Sequence, residues 1–300
     1  MKRMRSFQSG KKIKKSFLIG FSVYFLPYIR KKYDAVFDFT LSRKFGFFFM
    51  LAGIKKRIGY NYKKRGLFLT KAIEFSGFED KHVIEYYLSL LRELDISVTD
   101  KDMQLVPEGK GLVWASEYLK KISATEDNLI AVIPGGGASW GSQSKRKRWA
   151  PEKFSAVSDA LMERDYNVMI LGHNSETELC NKVASGMKEK PLLVRNDLSL
   201  EKYFAILAKC QVVLCNDGGP LHIAVSLGRK TVSIFGPVDP KVYGPYPVSD
   251  RYRIMVNEHL DCRPCYKKFR VPDCDFKNKC LEEIDPGRVL EACVELMKVK

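Results

Sequence analysis

The chain has 300 residues, of which 45% are hydrophobic and 12% aromatic, so a disordered or fibrous protein is excluded and two domains with cores of their own are allowed. Its net charge of +16 is concentrated, because residues 1–72 hold 19 Lys and Arg against two acids, Asp34 and Asp38, and the remainder is close to neutral. Such a basic lobe implies an anionic partner (nucleic acid, an anionic membrane face or a phosphorylated acceptor) unless it is simply a solvated surface. In chain order, Ser16–Ile29 is apolar but too short to span a bilayer, contains Pro27 and lacks a following small-residue cleavage site. It is expected to be a buried or interfacial helix. Tyr33–Thr40 reads as a short strand, Ser42–Ile54 as an apolar helix ending near Gly53, and Arg57–Tyr60 as a brief strand. Lys81–Leu94 predicts an amphipathic helix with Val83, Tyr86, Leu90 and Leu94 along one side, and Asp95–Gly111 a linker.

From Asn128 onward strands and helices alternate. Strands are expected at Asn128–Ile133, Asn167–Leu171, Leu192–Val194, Gln211–Cys215 and Thr231–Phe235. Helices are expected at Pro151–Arg164, Ser175–Ser185 (capped by Ser175), Leu200–Lys209, Pro220–Leu227 (closed by Gly228) and Pro286–Val299. Continuous apolar strands in a βα rhythm mean a parallel sheet covered on both faces, hence an α/β fold.

Ligands of such sheets sit at the carboxyl ends of the strands, and two loops there carry chemistry. The first runs from Pro134 through Gly135, Gly136, Gly137, Ala138, Ser139 and Trp140 to the cations Lys145, Arg146, Lys147 and Arg148. Glycines admit a ligand close to the backbone and cations suit a diphosphate, although a flexible loop with a solvated basic face has the same composition. At most two of the four cations can point inward. The second loop, Asn216–His222, joins a strand to a helix opening at Pro220, whose N-terminal N–H groups attract an anion. Asp217 also suits a helix cap, and His222 also suits a core position. Together the loops read as a metal-free diphosphate site.

Asp217-Gly218-Gly219-Pro220-Leu221-His222-Ile223-Ala224, followed by Phe235-Gly236-Pro237-Val238-Asp239-Pro240, resembles the signature region of glycosyltransferase family 9, the lipopolysaccharide heptosyltransferases. The loop ending in Lys147-Arg148-Trp149 and the segment Gly172–Glu176 resemble that family's donor loops. The resemblance implies a GT-B-like fold of two Rossmann-like domains with parallel sheets, the N-terminal one incomplete. Residues 1–107 would form a partial acceptor-side domain. Residues 108–300 would form the donor-binding domain with a Cys-rich loop and a terminal helix. It further implies that Gly135, Gly136, Ser139 and Lys147 meet the donor diphosphate and Glu176 the ribose. Asp217 would face the sugar, the N–H groups of Gly218 and Gly219 the phosphates, and His222 would lie beside them. The implied reaction is inverting transfer of a heptose from ADP-heptose, or from another nucleotide-sugar, to an anionic lipid-linked saccharide acceptor. No cofactor is needed for that chemistry. The implied setting is cytoplasmic, peripheral on the inner face of the cytoplasmic membrane, with no nucleic acid as partner.

Family members open with a strand, a glycine-rich turn and a Gly-Asp pair whose Asp is the presumed general base. Nothing before Tyr33 resembles this, so the catalytic base is unassigned and transfer is expected to be impaired. The alternative is a non-catalytic nucleotide-sugar binder or degenerate paralogue. Asp34 and Asp38 are expected at strand ends rather than in catalysis. Finally, Cys262, Cys265, Cys274 and Cys280 form a C-x2-C-x8-C-x5-C series. This spacing leaves a structural zinc, reduced thiols and disulfides open, whereas Cys180, Cys210, Cys215 and Cys293 read as buried thiols.

Overall fold

The computed structural model describes residues 33–136, 138–195 and 197–299. The expected helix at Ser16–Ile29 and Gly137 lie outside them. The chain divides into two compact units, the first ending at Ser76 and taking back Tyr87–Ser97, the second comprising Gly77–Tyr86 and the chain from Val98 onward.

In unit 1, strands β1 (Ala35–Asp38), β2 (Lys56–Tyr62) and β3 (Lys71–Phe75) form a parallel sheet in the order β1-β2-β3. Helix α1 (Arg43–Leu51) connects β1 to β2, and Gly53, at φ 73°, ends that connection in the left-handed region that glycine tolerates. Asp38 ends β1 as expected, and its carboxylate accepts hydrogen bonds from Thr40 N (2.9 Å) and Thr40 Oγ1 (2.6 Å). Its role is to fasten a turn. The predicted long helix is shorter: α2 (Val83–Ser89) passes into a 3-10 stretch, Leu90–Leu94, closed by Asp95 at φ 56°.

Unit 2 holds β4 (Leu129–Ile133), β5 (Asn167–Leu171), β6 (Leu193–Arg195), β7 (Val212–Asn216), β8 (Lys230–Phe235) and β9 (Tyr252–Val256) in one parallel sheet. The spatial order is β6-β5-β4-β7-β8-β9. This is the doubly wound arrangement, and its crevice opens between β4 and β7, where successive crossovers diverge to opposite sides. β4, β7 and β8 are buried along their whole length; β4 and the first four residues of β7 accordingly read as unbroken apolar runs, whereas β8 also buries Lys230, Thr231 and Ser233.

Two cores cover the two faces of this sheet. On one face α4 (Pro151–Met162), α5 (Thr177–Ser185) and α10 (Pro286–Lys298) bring Phe154, Val183 and Leu296 onto Ile130, Val212 and Val232. On the other, α3 (Gly109–Lys121), α6 (Leu200–Lys209) and α7 (Gly219–Ser226) bring Leu119, Ile206 and Leu221 onto Ala131 and Val213. Helix α3 occupies part of the predicted linker. At Gly111 a Cβ would meet Glu201 and Ala205 of α6 at ordinary contact distance, 3.4 and 3.5 Å, so the two helices lie close together there. Short helices α8 (Pro240–Tyr243) and α9 (Lys279–Glu282) complete the unit. Among the described residues no helix is long and apolar enough to cross a membrane.

Candidate functional site

Both chemistry-bearing loops leave the sheet at the crevice, one after β4 and the other after β7. Gly135 and Gly136 follow β4, and the chain then coils through a 3-10 stretch, Ala138–Lys147, which begins with Ala138 and Ser139. The reason for glycine at 135 is steric: a Cβ there would lie 2.3 Å from the Glu176 carboxylate. Gly136 adopts φ 126°, again disfavoured for any side chain.

Glu176 is the fastener of this side. Its Oε1 accepts from Gly136 N (2.8 Å) and its Oε2 from His173 N (3.1 Å), with Arg148 Nη2 3.5 Å from Oε1. The predicted cap of the following helix is corrected: Ser175 lies in a 3-10 turn, Asn174–Glu176, capped by His173, whose Nδ1 accepts from Ser175 N (3.2 Å) while Glu176 closes the reciprocal bond, and Glu176 itself holds the cap position of α5. The family resemblance implies a ribose contact for Glu176; here both of its oxygens accept from backbone N–H groups.

Asn216, which ends β7, was not singled out by its sequence context. It is 1% exposed, and its amide donates to Pro134 O (2.8 Å) and Gly135 O (3.0 Å) while its Oδ1 accepts from Trp149 N (3.0 Å). Only an amide can donate to two carbonyls and accept from an N–H at once. The signal available was a polar residue terminating a fully apolar strand.

Two of the four consecutive cations turn inward. Lys147 is 8% exposed, and its Nζ lies 2.5 Å from Asp217 Oδ2 and 4.7 Å from the centre of the Trp140 ring. The Lys147–Asp217 contact is an ion pair without hydrogen-bond alignment, which leaves Asp217 Oδ2 buried with no hydrogen-bond partner among the described residues. Trp140 is itself stacked on Tyr266 at 4.7 Å. Arg148 Nε donates to Gly136 O (3.0 Å), so this second cation braces the loop. Lys145 is exposed.

Gly218 precedes α7, and Gly219 and Pro220 open it. A Cβ on Gly219 would meet nothing within 4 Å, so protein packing does not demand glycine there and space remains for a ligand against the backbone. His222 lies in the first turn. Burial lowers its pKa below the usual 6.5, with Asp217 opposing and His82 and Lys147 reinforcing the shift. The ring is therefore neutral at pH 7 and offers a hydrogen bond rather than a charge.

These loops border a cavity of about 670 Å³. Its lining combines Lys147, Gly136 and the N-terminus of α7 (Gly218, Gly219) with the apolar side chains of Leu198, Leu200 and Tyr203. The Tyr203 hydroxyl is buried so deeply that its pKa is pushed well above the normal value.

The cysteine series lies on a loop folded against the Gly236–Val238 signature. Cys265 N and Tyr266 N donate to Pro237 O (3.1 and 3.0 Å), and the Arg263 guanidinium donates to Asn257 O and Val238 O (both 3.0 Å) and to Gly236 O. All four are free cysteines here. Among the described residues no group of three or more His, Cys, Asp and Glu is disposed to hold a metal ion. Burial raises the Cys180 and Cys280 thiols to about 11 and the Cys210 and Cys293 thiols to about 12, consistent with buried apolar roles.

Lipooligosaccharide heptosyltransferase 2 of Campylobacter jejuni is 31% identical over 225 residues, a match covering 73% of this chain and 65% of that protein. The chain thus spans about two thirds of the length of that relative. Among solved structures, E. coli ADP-heptose lipopolysaccharide heptosyltransferase II superposes with a TM-score of 0.71 at 22% identity, over 95% of this chain and 81% of that one. The E. coli heptosyltransferase WaaC with ADP gives 0.62 at 18% identity, over 95% and 82% of the two chains. Both share the α/β fold with parallel sheets seen here. The model of glycosyltransferase family 9 (heptosyltransferase) matches residues 28–274, and the chain belongs to that family.

Proposed function

We propose that this chain transfers a heptose, or a related sugar, from ADP-heptose or another nucleotide-sugar to an anionic lipid-linked saccharide acceptor of the lipopolysaccharide core. The observation that carries the proposal is the cavity at the β4/β7 crevice, whose lining joins a cation and glycine-rich backbone to apolar side chains. The apolar side chains suit a base, and the cation and backbone N–H groups suit a diphosphate. The ammonium of Lys147 and the α7 N-terminus would take up charge as the nucleoside diphosphate leaves the anomeric carbon. Gly135, Gly136 and Ser139 form the loop against that diphosphate, Gly218 and Gly219 give backbone N–H groups, and His222 gives a neutral ring beside it. Glu176 faces the ribose end while holding the loop, and Asp217 faces the sugar. The acceptor's proton goes to a base to which no described residue is assigned. No metal takes part in this scheme. A structural zinc at Cys262, Cys265, Cys274 and Cys280 has the cysteine spacing as its support, and no step depends on it.

Residues 108–300 act as the donor half and 1–107 as the acceptor half in this reading. The charge excess of residues 1–72 supports a place at the anionic inner face of the cytoplasmic membrane. The test is calorimetry of the full chain with ADP, UDP and GDP, followed by transfer from ADP-heptose to a core acceptor. ADP binding with preference over UDP, together with transfer, is the expected result. No nucleotide binding would remove the donor site, and binding without any transfer would remove the transferase.

A further inference from the structure

We propose that Tyr266, on the cysteine-rich loop, is a positioning residue of the donor site, holding the Lys147 ammonium in place through the ring of Trp140. The proposal rests on the donor reading above, and adds to it a residue from outside the two glycine-bearing loops. The Lys147 ammonium stands 4.7 Å from the centre of the Trp140 ring and beside the Asp217 carboxylate. The Trp140 ring is in turn stacked on Tyr266, with centroids 4.7 Å apart and planes inclined by 30°.

A lysine carries its ammonium on four flexible carbons, so the charge has no fixed place unless its surroundings supply one. An aromatic face does so, because the ring quadrupole attracts a cation most strongly where water is excluded, and Lys147 is buried. The backbone that carries this ring is weakly constrained by its own sequence. Gly135, Gly136 and Gly137 precede Trp140, and Gly141 follows it at φ 56° and ψ −124°, breaking the 3-10 stretch. A Cβ on Gly141 would meet nothing within 4 Å, so no close neighbour braces the kink on that side. Tyr266 is anchored by contrast. Its N–H and that of Cys265 donate to Pro237 O, just past the end of β8, and the Arg263 guanidinium grips Gly236 O and Val238 O. The Tyr243 ring of α8 lies 5.8 Å from the Tyr266 ring. Farther along the same loop, Pro272 O accepts from the Arg146 guanidinium, next to Lys147. The cysteine-rich loop thus crosses the donor loop twice, at Trp140 and at Arg146, and links the end of β8 to the ammonium. A cation misplaced by about 1 Å from developing charge can cost about a hundredfold in rate, so such a link bears on transfer as well as on binding.

The experiment is calorimetric titration of the full chain with ADP, with melting temperature and near-UV circular dichroism of every variant as checks of folding. Tyr266→Leu removes the ring and keeps bulk, Tyr266→Phe keeps the ring, and Phe276→Ala, on the same loop and 58% exposed, is the control. Tyr266→Leu is expected to bind ADP about three- to tenfold more weakly at unchanged stoichiometry. Tyr266→Phe and Phe276→Ala should behave as the unmodified chain. The deciding comparison uses the Lys147→Met/Asp217→Asn background, in which no charge is left buried and unpaired. There Tyr266→Leu should have no further effect on ADP binding, because the group it positions is gone. Unchanged ADP binding by Tyr266→Leu, an equal fold-loss with and without Lys147, or Tyr266→Phe as weak as Tyr266→Leu overturns the positioning role and leaves the donor reading standing. No ADP binding by the unmodified chain overturns both. Should Tyr266→Leu fail to fold, Trp140→Leu breaks the same link from the donor loop and is held to the same outcomes.

Discussion

At the scale of single residues, the site is held by groups whose partners are other site residues. Lys147 and Asp217 are both buried and face each other. Removing one partner of such a pair leaves the other buried without compensation, at a cost of about 3–5 kcal/mol. Lys147→Met is therefore expected to lower both stability and ADP affinity, the latter by at least about tenfold. Adding Asp217→Asn should restore the denaturation midpoint but not the affinity. A double variant that regained ADP binding would show that Lys147 does not touch the diphosphate. Asn216→Ala would leave two carbonyls and one N–H unpaired, a loss on the order of 3 kcal/mol. Urea denaturation measures it, and Asn216→Asp should fare little better, since a carboxylate cannot donate. Lys147, Asp217 and His222 drew notice through the glycine-bearing loops they sit on, with a solvated face, a helix cap and a core position also open to them, and Glu176 through the family resemblance alone. Asn216 drew none, because its partners, Pro134, Gly135 and Trp149, lie far away along the chain. The bonds of Glu176 to Gly136 and His173 depend on a loop approach that spacing does not reveal.

At the scale of elements, the segment Gly77–Tyr86 leaves its sequence neighbours and joins unit 2. His82 anchors it. Its Nδ1 accepts from Ile84 N (3.2 Å), so the other nitrogen carries the proton and donates to Gly244 O (3.0 Å), and the ring stacks on Tyr246 at 4.6 Å. Burial holds this imidazole below its ordinary 6.5, the Gly244 hydrogen bond opposing. As pH falls through 6.5 the unfolded chain takes up its proton first. Stability is thus full above that pH and declines below it, until the folded ring protonates in turn. The same sign holds for His222. The melting temperature is expected to drop between pH 7.5 and 5.5, and His82→Gln, which keeps a donor toward Gly244, should flatten that slope. An unchanged slope would place the titration elsewhere. Strands β3 and β9 and helix α3 escaped the sequence pattern for local reasons. β3 and β9 lie at sheet edges and alternate only partly, and α3 opens on Glu108 without a side-chain cap and carries two glycines, Gly109 and Gly111.

At the scale of the whole molecule, the βα rhythm from Asn128 made a parallel sheet readable, since buried parallel strands advertise themselves as continuous apolar runs. The order β6-β5-β4-β7-β8-β9 was not readable in the same way, because periodicity fixes which residues are buried and not which strand lies beside which. That order is what turns two separate loop motifs into one cavity. The charge of the first quarter was equally legible as a total.

The fastening of the cavity mouth has a further consequence. Glu176 and Asn216 link the β4 loop, the His173–Glu176 turn and the end of β7 before any ligand is present. Ordering these segments is therefore part of folding, and a nucleotide bound as proposed would find little conformational entropy left to lose in this rim. The apolar side chains of Leu198, Leu200 and Tyr203 come from a different stretch of chain. In the proposed donor site, the preference for one nucleobase over another could therefore change through those side chains while the glycine loops stay as they are.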